Sequence, residues 1–318
     1  MSNSYSIVLM SPPIFLYYAK SEGICPPDFY SSTSSPISYS YIITLFRICI
    51  IIILIFVRNF VFSQIYSIIP IMKLQKLYSK VRQALDDYNM ITENDKIAIG
   101  VSGGKDSLTL LYALSGIRSF YPVPFKLVAI AIDLGYDDFD LAPVKALCDE
   151  LSVEFYVVKT DIGRISLEKS KNQASPCSWC AKLRKGALND FALSVGCNKI
   201  AYAHHMDDII ETMFLSLLYE GQFYSFAPVT QLDGSGLAII RPLMYVGESD
   251  VKGFKNKYNL PVCKNPCPYD GHTRREYVKQ LVRQLNMENP GVKKRLFSAI
   301  QNGNIDDWVK CTKPSDAS

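Results

Sequence analysis

Lys96-Ile-Ala-Ile-Gly-Val-Ser-Gly-Gly-Lys-Asp-Ser107 is the stretch that decides the fold. Its first half is a short apolar run with β-branched residues and no polar face, the pattern of a strand buried on both sides. Its second half is a glycine turn, Ser102-Gly103-Gly104-Lys105-Asp106-Ser107, after which an apolar helical stretch runs to Ile117. A strand that passes into a helix through glycines brings backbone amides and a helix N-terminus close to an anion. Lys105 can neutralise phosphate charge, and Ser107 can add a hydroxyl donor. The common phosphate loop has Gly-x-x-x-x-Gly-Lys followed directly by Ser or Thr. Here Asp106 follows the lysine and no glycine stands at the first spacing, which disfavours a kinase or GTPase.

The same alternation extends outward. Phe125 to Leu134, Phe155 to Thr160 and Lys199 to His205 are further strand candidates, with helical patterns over 73–89, Leu141 to Leu151 and Asp207 to Tyr219. Strands alternating with helices predict an α/β fold, a Rossmann-like parallel sheet covered on both faces. In such sheets ligands sit at the carboxyl ends of the strands, where Ser102, Asp133 and the segment His204 to Asp208 all fall. His204 and His205 are followed by Asp207 and Asp208, carboxylates able to hold Mg²⁺ against phosphates or to act as a base. The plainer reading of either aspartate is a helix N-cap.

The net charge is only +4, yet between Asp250 and Ile300 eleven Lys or Arg stand against four Asp or Glu. That excess suits a phosphate backbone as well as it suits a solvated helical face. Nine cysteines with two tight pairs do not resemble a secreted disulfide framework. Cys177-Ser-Trp-Cys180 and Cys263-Lys-Asn-Pro-Cys267 point instead to metal or cluster ligation, and by themselves they would suggest a tetrahedral Zn²⁺.

Residues 1–71 differ in kind from the rest, carrying only five charged side chains among Ser, Tyr, Pro, Ile and Phe. The apolar run Ile48 to Val57 is half the length of a spanning helix, and extending it takes in Arg58 and Pro70. We expect translation to begin at Met72, with a membrane-proximal segment as the alternative reading of what precedes it. The remainder divides into an ATPase domain over 72–250 and a basic segment over 251–318.

The glycine turn resembles the PP-loop of ATP pyrophosphatases, which cleave ATP between the α and β phosphates to adenylate a substrate. Further motifs are Pro176-Cys-Ser-Trp-Cys-Ala-Lys-Leu-Arg-Lys-Gly186, Ala203-His-His-Met-Asp-Asp208 with Glu211-Thr212, and Pro266-Cys-Pro-Tyr-Asp-Gly271. Their order resembles the tRNA 2-thiocytidine synthetase family, over most of 72–302. The resemblance implies a cytoplasmic enzyme that uses ATP and Mg²⁺ to adenylate the C2 oxygen of an anticodon-loop cytidine. A [4Fe-4S] cluster on Cys177, Cys180 and Cys267 would then deliver sulfur. Cys263 is a spare or fourth thiol that would close the site. Ser102 to Ser107, Asp133, His204 and Asp208 would bind ATP, and Asp208, Lys105 and Arg184 would be catalytic. Arg274, Arg275, Lys279 and Arg283 would hold the tRNA backbone. A sulfur donor such as a cysteine desulfurase and a homodimeric partner complete the expectation. The rivals are tRNA 2-thiouridine synthesis, another PP-loop tRNA ligase without a cluster, and a zinc-stabilised nucleotide-binding protein without turnover.

Overall fold

The computed structural model describes residues 50, 74–136, 139–170, 176–264, 267, 274–303 and 308. The expectations about residues 1–71 therefore lie outside the described residues, Ile50 apart. Cys25, Cys49 and Cys311 also lie outside them. Among the described residues no helix is long and apolar enough to cross a membrane.

The first helix, α1, covers 74–87 and packs Leu77, Val81, Ala84 and Leu85 into the core. The decisive stretch then forms β1 (Lys96–Gly100), the loop, and α2 (Lys105–Ile117). There follow β2 (Lys126–Asp133), α3 (Ala142–Glu150), β3 (Glu154–Lys159), α4 (Ile162–Ser170), α5 (Pro176–Ser194), β4 (Lys199–Ala201) and α6 (Met206–Leu215). A π-helical turn, Ser216–Glu220, continues α6. The strands β5 (Val229–Gln231) and β6 (Ala238–Ile240) precede α7 (Glu248–Lys257), α8 (Arg274–Glu288) and α9 (Val292–Asn302).

The strands form one six-stranded sheet in the order β3-β2-β1-β4-β6-β5. All pairings are parallel except β5 with β6, so the sheet is mixed at one edge rather than wholly parallel. Alternation along β1 and β2 explains the apolar runs. Ile97, Ile99, Leu127 and Ala129 enter the core beneath α1, α2 and α6 to α9, while Ala98, Val128, Ile130 and Ile132 face Leu188 and Ala192 of α5. From β1 the chain winds outward through β2 and β3, then returns to β4 on the other side. The order thus reverses between β1 and β4, the place where such sheets bind ligands.

Candidate active site

The loop after β1 is shaped from within. The Ser102 amide donates to Ser107 Oγ at 3.2 Å, the Gly104 amide donates to Ser102 Oγ at 3.3 Å, and the Ser107 hydroxyl donates to the Gly104 carbonyl at 3.0 Å. Ser107 thereby braces the loop from both sides. Gly103 has φ +75°, and a Cβ there would lie 3.0 Å from Cys263 Cβ. The glycine is needed both for its backbone angle and for that close approach. Lys105 Nζ stands 2.8 Å from Asp106 and 3.7 Å from Glu248 of α7, so a phosphate must compete with two carboxylates for it.

At the neighbouring strand end, His205 caps α6. Its Nδ1 accepts from the Asp208 amide at 3.3 Å, while Asp208 Oδ2 accepts from the His205 amide at 3.0 Å. This reciprocal pair satisfies two free amides of the first turn, so the cap is the histidine with Asp208 as its counterpart. Asp207 turns the other way. It accepts the Glu248 amide at 2.7 Å and Lys293 Nζ of α9 at 2.6 Å. Burial acts to raise the Asp207 carboxyl, but these two donors outweigh it and hold it below the usual range. Asp208 Oδ1 lies 3.5 Å from Arg275, which also reaches Glu211 at 3.4 Å. Glu211 is almost fully buried, and burial followed by the nearby Asp208 charge pushes it up to about 7.

Three cavities meet at this end of the sheet. One, of about 580 Å³, is lined by Val101, Ser102, Asp106, Ile130, Ile132, Arg184, Tyr202, His204, Asp208, Phe226 and Arg241. His204 stacks on Phe226 at 4.4 Å, and burial, reinforced by Arg241, lowers it to about 4, so it is neutral near pH 7. Its Nδ1, Tyr202 Oη and Arg241 Nε have no hydrogen-bond partner among the described residues. The second, of about 540 Å³, carries Ser102, Gly104, Lys105, Asp133, Arg184 and Cys263.

The third, of about 200 Å³, is lined by Cys177, Cys180 and Cys267 with Tyr136, Leu167, Pro176 and Arg184. Cys177 and Cys180 share one face of the first turn of α5. Burial raises the Cys180 thiol against the opposing pull of Arg184. Arg184, one turn further on, lines all three cavities. Cys263 does not join the other three thiols. It lies against the glycine loop, its amide donating to the Gly103 carbonyl at 3.0 Å.

Among the described residues no three His, Cys, Asp or Glu side chains are gathered tightly enough to hold a single metal ion. A tetrahedral zinc would need four donors about 2.3 Å from its centre. Cys177, Cys180 and Cys267 around one cavity are soft thiol donors of the kind an iron–sulfur cluster takes, and Cys263 lines a different cavity.

The structure thus brings Ser102 to Ser107, Asp133, Arg184, His204 and Asp208 to the same end of the sheet. The basic residues divide: Arg275 and Lys279 face inward, Lys279 to Glu248 at 2.8 Å, whereas Arg274 and Arg283 are exposed. Glu248, Tyr202, Phe226 and Arg241 escaped the sequence reading. Only Arg241 left a signal, as a single charge inside the apolar run Leu237 to Leu243.

The PP-loop domain family matches residues 73–285. This chain belongs to the PP-loop family. Among its relatives is the tRNA-cytidine(32) 2-sulfurtransferase of Geotalea uraniireducens, 40% identical over 71% of this chain and 91% of that protein. The enzyme of the same name from Geobacter sulfurreducens is 38% identical over 72% and 90%. The fold of this PP-loop protein is shared with the U34-tRNA thiolase NcsA from Methanococcus maripaludis, solved with its [4Fe-4S] cluster. The TM-score is 0.61 at 24% identity, covering 74% of this chain and 80% of that one. The matched span contains the Ser102 to Ser107 turn.

Proposed function

We propose that the chain is an ATP-dependent tRNA sulfurtransferase that converts an anticodon-loop cytidine, at position 32 as in its named relatives, to 2-thiocytidine. The observation that carries this reading is the junction at Arg184, where two nucleotide-sized cavities meet the cavity of three thiols. An enzyme that must activate a base with ATP and then hand it sulfur needs those three spaces side by side.

In this reading ATP enters as its magnesium salt, with its phosphates on the amides of Ser102 to Ser107. Lys105 exchanges Asp106 and Glu248 for phosphate oxygens. Asp133 and His204 border the nucleoside. The C2 oxygen of the base attacks the α-phosphorus, the bond from that phosphorus to the bridging oxygen breaks, and pyrophosphate leaves. Arg184 offsets the charge that builds on the α-phosphate. Asp208, held by His205 and Arg275, is positioned to offset the positive charge that the cytosine ring gains as its C2 oxygen is adenylated. Cys177, Cys180 and Cys267 would hold an iron–sulfur cluster, which when bound supplies the sulfur that replaces the C2 oxygen, and AMP carries that oxygen away. Sulfur would reach the site from a donor such as a cysteine desulfurase, in the cytoplasm. Residues 1–71 take no part in this scheme, and homodimer formation is not required by it.

The test is the visible absorption spectrum and the iron content of the full chain purified without oxygen, beside Cys267→Ser and Cys263→Ser. We expect a brown protein whose colour Cys267→Ser loses and Cys263→Ser keeps. A colourless wild type containing zinc would overturn the sulfur-transfer reading.

A further inference from the structure

The π-helical turn Ser216–Glu220 and the loop after it expose an aromatic surface that packing leaves unused. Tyr219, Phe223 and Tyr224 are 44%, 53% and 51% exposed, and Leu217 and Leu218 lie bare beside them. π-helical insertions in an α-helix often mark functional positions. Here the insertion re-aims the end of α6, and Gly221 closes it in a left-handed conformation, φ +65°.

Two observations indicate what the surface receives. The Arg274 guanidinium lies over the Tyr219 ring, 4.8 Å from its centre, placing a cation beside a flat apolar face. The only carboxylate between Ser216 and Phe226, Glu220, accepts the Ser216 hydroxyl at 3.0 Å. The surface also runs into the active site. The Ser225 hydroxyl pins the loop to the Ile209 carbonyl at 2.7 Å, and the next residue, Phe226, lines the cavity with His204 and Arg241. Tyr219 stands about 16 Å along the same helical rod from Asp208, a distance of a few nucleotides.

We propose that Tyr219, Phe223 and Tyr224 are a stacking platform for unpaired bases of the RNA loop flanking the reacting nucleotide, with Arg274 beside them for the backbone. This rests on the reading of the substrate as tRNA. Aromatic faces joined to a guanidinium are how proteins hold splayed single-stranded bases. A stacking contact loses affinity when its ring is removed without changing the number of phosphate charges neutralised.

The experiment measures binding of the full chain to an anticodon stem-loop RNA and to a blunt RNA duplex of equal length, across a range of salt. Wild type is compared with the Phe223→Leu/Tyr224→Leu double variant, which keeps apolar area but cannot stack. ATP affinity and molar mass are read in parallel. We expect the variant to bind the stem-loop at least roughly tenfold more weakly, the loss of about one base–aromatic stack. Its salt slope, duplex affinity and ATP affinity should match wild type. Equal stem-loop affinity in the two proteins would overturn the platform. So would a wild-type dimer that the variant splits, since the surface would then be a self-interface. A wild type that binds neither RNA would instead sink the tRNA reading itself, and the platform with it.

Discussion

At the scale of single residues, the site is a set of carboxylates tuned by what surrounds them. Asp207 and Glu211 lie one helical turn apart and are shifted in opposite directions, because Lys293 reaches the first while burial dominates the second. Glu211 has a measurable consequence. Between the ordinary glutamate range and about 7 the unfolded chain has released a proton that the folded chain still holds, so stability falls as pH rises through that window. Ionising Glu211 then costs up to about 3 kcal/mol. Glu211→Gln should flatten this dependence, leaving the variant relatively more stable at pH 8 than at pH 5. Thermal melts of both proteins at the two pH values check it, and parallel curves would contradict it. The residues that the sequence makes visible lie within short motifs: Lys105 and Asp208 at strand ends, Cys177, Cys180 and Arg184 on α5, and Cys267 before α8. Glu248 and Phe226 come from distant elements without a motif, and only the fold brings them in.

At the scale of elements, the apolar runs of β1 and β2 were legible because a strand buried on both faces has no competing period. The β5–β6 hairpin was not, since three-residue strands are too short to show one. Its trace was Asp233-Gly234, a common hairpin turn pair, with Gly234 at φ +74°. The helix expected over Asp207 to Tyr219 is in fact α6 with its π-helical end, a change of hydrogen bonding to which apolar spacing is blind. The seat of α1 on α2 is equally hidden in sequence. A Cβ on Gly116 would meet Tyr78 Oη at 1.9 Å and its Cζ at 2.5 Å. Alanine normally favours a helix over glycine by about 1 kcal/mol. Overpacking should outweigh that and make Gly116→Ala destabilising by roughly 1 to 2 kcal/mol. In urea unfolding, adding Tyr78→Ala should cost less in the Gly116→Ala background than in wild type. Strict additivity would count against the contact.

At the scale of the whole molecule, the C-terminal helices fold back onto the strand ends through a line of ion pairs. Arg275 meets Asp208 and Glu211, Lys279 meets Glu248, and Lys293 meets Asp207. The basic excess after Asp250, which the sequence left open between a phosphate backbone and a solvated face, is thus partly spent inward. Charge counts report sign and not direction, so composition could not separate Lys293 from the exposed Arg283. Lys293→Ala leaves the buried Asp207 carboxylate without its cationic partner, only the Glu248 amide remaining, and should destabilise the protein by about 3 kcal/mol. Adding Asp207→Asn should recover much of that loss in the same urea titration. The central claim remains chemical. The most direct test is nucleoside mass spectrometry of unmodified tRNA incubated anaerobically with the cluster-loaded full chain, ATP, magnesium and a sulfide source. The account predicts 2-thiocytidine at position 32, formed only with ATP and absent with Arg184→Ala. An unmodified cytidine 32, under conditions where the protein holds its cluster and binds both ATP and tRNA, would contradict it.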